Sequence, residues 1–122
     1  MIIFNEERFW NVNGWGCRIF INDMIASCSD DPEALRKLEQ AVHLPGFSMH
    51  RLSATLAERM LDLIERVAES TLSPTPALAL RWRKAMHTKD QSLYVNGVRE
   101  LLDLTKGVRA ERDVAGDKQR PD

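Results

Sequence analysis

Residues 53–72 read SATLAERMLDLIERVAESTL, and this stretch decides the fold class. Together with Leu52, the residues Leu56, Met60, Leu63, Ile64, Val67 and Leu72 recur at the spacing that lines one side of an α-helix. Glu58, Arg59, Asp62, Glu65, Arg66 and Glu69 take the other side, the wet one. Asp62 stands four residues before Arg66, a spacing that supports the helix, and Ser53 or Thr55 can cap its start. At about 1.5 Å per residue such a helix is about 30 Å long, the span of a small domain. An apolar stripe of that length needs other helices to cover it. The expectation is therefore an all-α, single-domain bundle of about five helices over residues 1–109.

On the C-terminal side, Ser73-Pro74-Thr75-Pro76 breaks the long helix and starts another, in which Leu78, Trp82, Ala85 and Met86 line one face up to about His87. After Thr88-Lys89, Asp90 or Ser92 can cap a last helix whose apolar face is Tyr94, Val98, Leu101, Leu102 and Val108. Gly97 inside it costs about 1 kcal/mol relative to alanine. From Ala110 to Asp122 the chain is mostly charged and has little apolar surface to bury, so 110–122 reads as a flexible, disordered tail.

On the N-terminal side, Ser29-Asp30-Asp31-Pro32 is a helix start, because proline suits the first turn and carboxylates suit the positive end of the helix dipole. That helix runs from Pro32 to about His43, burying Leu35, Leu38 and Val42, and Leu44-Pro45-Gly46 stops it. Before it, Cys17, Phe20, Ile21, Met24, Ile25 and Cys28 keep a helical period over about Trp15 to Cys28. Phe9 to Val12 and Trp15 to Ile21 offer a competing reading, a hairpin through Asn13-Gly14. The helical pattern extends further and is preferred. Residues 1–13 remain open between a strand and a short helix over Glu6 to Val12 capped by Asn5.

Five of the eight aromatic residues, Phe4, Phe9, Trp10, Trp15 and Phe20, fall in the first twenty positions. Aromatic side chains dominate burial in cores and interfaces alike. Periodicity alone buries Phe20, but it does not dictate the fate of Phe9, Trp10 or Trp15.

The formal net charge is −1, with 43% hydrophobic and 29% charged residues, an ordinary globular balance. It is unevenly spread. Residues 1–50 carry seven acidic side chains against four basic ones, while residues 51–122 carry eleven against thirteen. No apolar run approaches the roughly 20 residues of a bilayer span, and Glu6 and Glu7 stand where a secretory signal would be basic. The cytosol is the expected compartment, with no membrane partner. Cys17 and Cys28 are then expected to be reduced. On one helix they would also lie about 16 Å apart, beyond the roughly 7 Å that a disulfide allows.

The sequence carries no familiar catalytic or cofactor motif. His43, His50 and His87 lack the spacings of a metal site. Gly14-Trp15-Gly16 lacks the further glycine and lysine of a phosphate loop. Asp30, Asp31 and Glu33 have the chemistry to hold Mg²⁺, but helix capping accounts for them without a metal. No cofactor or metal is expected. His43 and His50 flank the Leu44-Pro45-Gly46 break, where a loop would let them act as an acid and base pair, so a small enzyme is one alternative reading. Arg81-Trp82-Arg83-Lys84 is the other, through a DNA-binding helix-turn-helix around 76–105, although a pI near 6.3 is far from a DNA reader's balance.

A small helical domain without a recognisable site is most economically a binder. The early acidic residues Glu6, Glu7, Asp23, Asp30, Asp31 and Glu33 would present a negative face to a basic partner, with Trp10 and Trp15 as anchors. The expected class is an immunity-type inhibitor that neutralises a cognate bacterial toxin, foremost a nuclease, by occluding its basic site.

Overall fold

The computed structural model describes residues 1–5, 7–10, 14–42, 47–73, 75–77, 80 and 88–119, with the side chains of 14–15, 88 and 112–119 excluded. Helices dominate it. They are α1 (Gly14–Ser27), α2 (Pro32–Ala41), α3 (Ala54–Leu72) and α4 (Thr88–Gln119), joined by a one-turn 3₁₀ helix at Met49–Arg51. Three very short strands, β1 (Ile2–Ile3), β2 (Phe9–Trp10) and β3 (Phe47–Ser48), form a sheet in the order β2-β1-β3. The helix expected after Pro76 falls largely outside the described residues, as do Arg81-Trp82-Arg83-Lys84 and most of the first half of the 76–105 motif.

The long apolar stripe behaves as its spacing dictates. Leu56, Met60, Leu63, Ile64 and Val67 are buried, and α3 packs on α4, α1 and α2. Ser53 caps it, its Oγ accepting the Leu56 N–H at 3.2 Å. On α4, Tyr94, Val98, Leu101, Leu102 and Val108 are buried as expected, and the helix packs on α3. Two threonines sit in the core, where Thr71 and Thr105 donate to the carbonyls of Val67 and Leu101, one turn back, at 3.0 and 2.8 Å. A hydroxyl that satisfies itself on its own helix can be buried at little cost. On α2 the buried face is Ala34, Leu38 and Ala41, with Leu35 and Val42 half-buried, so the helix is rotated from the expected Leu35–Leu38–Val42 face.

The N-terminal segment resolves the open alternatives in favour of strand. Gly14–Ser27 is helical, so the hairpin of 9–12 with 15–21 does not form, and neither does the Asn5-capped helix. Instead Asn5 turns the chain: its Oδ1 accepts the N–H groups of Glu7 and Arg8 at 2.9 and 2.8 Å, a side-chain mimic of a backbone turn. Ile2 then pairs antiparallel with Trp10 and parallel with Phe47, while Ile3 pairs with Phe9 and Ser48. Successive strand residues point to opposite faces, so Ile2, Trp10 and Phe47 are buried together while Phe9 is 52% exposed.

The backbone of α4 continues to Gln119, ten residues past the boundary read at Arg109. Propagating an existing helix costs far less than starting one, and Ala110, Glu111 and Lys118 are good helix formers. Arg8 also reaches across from the hairpin to Glu111, at 2.7 Å. Among the described residues no helix is long and apolar enough to cross a membrane.

Candidate functional site: an acidic face on α2, α3 and α4

The predicted partner residues are spread over the β1–β2 turn, β2, α1, the α1–α2 junction and the start of α2. Glu7 is exposed on the turn between β1 and β2. Trp10 is 1% exposed, its indole N–H donating to the Gly97 carbonyl at 2.7 Å and its ring meeting Phe20 edge to face at 5.5 Å between centroids. It is a core residue, reached through the backbone of α4 at a position that carries no side chain. Asp23 is half-buried on α1, near enough to Tyr94 to raise the pKa of the phenol, although burial is the larger cause. Glu6 and the side chain of Trp15 lie outside the described residues, as does His43, so the His43 and His50 pair is not described as a pair. His50 itself is exposed on the 3₁₀ turn.

Asp30, Asp31 and Glu33 do come together, at the junction of α1 and α2. Asp31 caps α2, its Oδ1 accepting the Ala34 N–H at 3.2 Å, and its other oxygen takes the Arg59 Nε at 3.0 Å. The same guanidinium reaches Glu33 at 3.1 Å. Arg66, two turns further along α3, donates to the Ser27 carbonyl at the end of α1, at 3.2 Å. These two arginines tie the α1–α2 corner to the wet side of α3. Between them lies a small cleft of about 190 Å³ that Asp30, Asp31, Arg59, Asp62 and Arg66 line. Cys28 forms its floor; burial, then Asp31 and Asp30, push its thiol pKa up, so it stays a neutral thiol.

The acidic surface continues past the cleft along α3. Arg109 of α4 bonds to Asp62, holds Glu65 at 2.9 Å and lies 3.7 Å from Glu58. Partial burial works against its charge, but the hydrogen bonds it donates to Asp62 and Glu65 outweigh that and set its pKa above the ordinary arginine value. Asp31 and Glu33 share Arg59, and Glu58, Asp62 and Glu65 share Arg109, while Asp30 and Arg66 line the cleft between them. Six carboxylates against three guanidiniums leave a formal −3 on one contiguous surface of a chain whose total is −1.

Glu58, Asp62 and Glu65 were absent from the predicted partner set. Their place on the wet side of α3 was legible, but joining them to Asp30 and Asp31 needed the packing of α2 and α4 on α3. Chemically the face is an acceptor surface: an ionised carboxylate offers about four lone-pair positions, and Arg59 and Arg109 are each spread over several acids. Among the described residues no group of three or more histidine, cysteine, aspartate or glutamate side chains is arranged to hold a metal ion. Asp31 and Glu33 are instead engaged by Arg59. The chain matches no family model, no curated protein and no solved structure.

Proposed function

We propose that the protein is a cytosolic protein-binding module of the immunity type, which neutralises a basic bacterial toxin, foremost a nuclease, by laying its acidic face over the toxin's phosphate-binding site. The observation that carries this reading is the formal −3 concentrated along α2, α3 and Arg109 of α4, where six carboxylates surround three arginines. Such a surface attracts a cationic cleft at long range and orients it on arrival. The exposed Glu33 and Asp62 can exchange an internal arginine for one on the partner, because exposed ion pairs contribute little that must be given up. The same sign of charge disfavours nucleic acid on this face.

Co-expression with the product of the neighbouring gene, followed by purification on a tag carried by either chain, tests the proposal. The expected result is a stable complex whose association rate falls steeply with added salt and drops about tenfold or more when Asp30→Asn, Glu33→Gln and Asp62→Asn are combined. A protein that stays alone in this experiment, or a complex indifferent to those three substitutions, would overturn it.

A further inference from the structure

A pocket of about 470 Å³ opens where the β1–β2 turn and the 3₁₀ helix meet α3 and α4. This lies within the roughly 300–1,000 Å³ typical of small-molecule sites. Its floor is apolar and firmly built: Phe4, Met49, Ala57, Leu61 and Val108 line it, and all five are buried. Among the described residues, the polar side chains at its edge are Asn5, His50 and Glu111.

Those three side chains differ in what they can offer. The Asn5 carbonyl oxygen already accepts two backbone N–H groups, from Glu7 and Arg8, which leaves its NH₂ as the group for a ligand. His50 is exposed and supplies a ring N–H. Glu111 is neutralised by Arg8 at 2.7 Å, and the guanidinium has further N–H donors. An apolar floor edged by donors, with its one carboxylate compensated, is complementary to an apolar body that ends in an anionic acceptor.

We propose that this pocket binds a small monocarboxylate with an apolar tail, of the medium-chain fatty acid type. The tail lies against Phe4, Met49 and Leu61, and the carboxylate accepts from the Asn5 amide and His50 while approaching Arg8. This site is distinct from the acidic face on α2 and α3 and does not depend on it.

Calorimetric titration of the full chain with decanoate, and in parallel with decylamine, tests the proposal, with methyl NMR shifts locating the site. The expected result is one-to-one decanoate binding at least about tenfold tighter than decylamine, with shifts at the Met49 and Leu61 methyls. Asn5→Asp keeps an oxygen for the turn but replaces the donor with a negative charge, and should weaken decanoate about tenfold or more. Ala54→Trp fills the pocket from an exposed helix position and should abolish binding. The proposal fails if decanoate does not bind at millimolar concentration, if decylamine binds as tightly, or if the shifts map elsewhere. It fails equally if both variants bind like the original.

Discussion

Replacing Trp10 with phenylalanine separates the two roles that an N-terminal tryptophan could have. In the fold Trp10 is 1% exposed, holds the Gly97 carbonyl at 2.7 Å and sits edge to face on Phe20. Phenylalanine retains an aromatic ring for Phe20 but loses the indole N–H and part of the ring volume. The lost hydrogen bond is worth about 1 kcal/mol, since the carbonyl can still accept its helical partner. The volume lost from a close-packed site adds about 1–2 kcal/mol. The sum, about 2–3 kcal/mol, is a large fraction of the roughly 5–15 kcal/mol that holds a domain of this size together. Trp10→Ala should cost about 4 kcal/mol or more, since it also forfeits the contact with Phe20. Urea denaturation followed by circular dichroism measures both, with the transition midpoint falling in the order tryptophan, phenylalanine, alanine and an unchanged slope. A Trp10→Phe protein within about 0.5 kcal/mol of the original would refute the assignment of this side chain to the core.

Three further outcomes follow from the geometry. Burial, with Asp23 and Cys17 adding to it, raises the pKa of Tyr94 in the folded state. The stability this group contributes is therefore fully present below the unfolded value of about 10 and is lost as pH rises above it, by up to about 1.4 kcal/mol per pH unit. Tyr94→Phe should flatten that alkaline loss in pH-dependent urea melts. A curve between pH 10 and 12 parallel to the original would count against it. Asp31→Ala removes both the cap on α2 and the acceptor for Arg59 and should cost about 1–2 kcal/mol, whereas Asp31→Asn keeps the capping oxygen and should cost less than half of that. Equal losses for the two variants in thermal melts would contradict the capping role. Arg109→Gln releases Glu58, Asp62 and Glu65 from α4 and should cost about 1 kcal/mol at low ionic strength, less at high salt, with faster amide exchange in the second half of α4. Exchange unchanged at Thr105 and Val108 would show that apolar packing alone holds that half of the helix.

Where a segment repeats a period over several turns, its structure was legible in advance. Leu56, Met60, Leu63, Ile64 and Val67 on α3, and Val98, Leu101 and Leu102 on α4, are buried as their spacing requires. The helical reading of 15–28 prevailed over the hairpin for the same reason: Cys17, Phe20, Ile21 and Met24 are buried over two turns. Strands of two residues have no period to read. Ile2 and Phe47 join the core only because chain segments far apart in sequence lie side by side, and nothing local in either announces it. Asn5 carried a true signal that has two physical outlets, since its side-chain oxygen can cap a helix or close a turn, and tertiary pairing chose the turn. The acidic face divides in the same way. Asp30, Asp31 and Glu33 could be grouped from the sequence because they are neighbours in it. Arg109 could not be joined to Asp62 and Glu65 until α4 was laid along α3.

The sheet also sets an order of events as the chain folds. β1 and β2 are linked by a five-residue turn and can pair as soon as residues 2–10 exist, whereas β1 and β3 meet only after a separation of roughly 45 residues has been closed. Closing a loop of that length costs entropy before any contact repays it, so the parallel pairing should wait until α1 and α2 have shortened the path. Ile2, the middle strand's buried residue, thus pairs early with Trp10 and reaches its final surroundings only when Phe47 arrives. On a ribosome the β1–β2 hairpin would emerge with one edge unpaired, and β3 would be the segment that closes it.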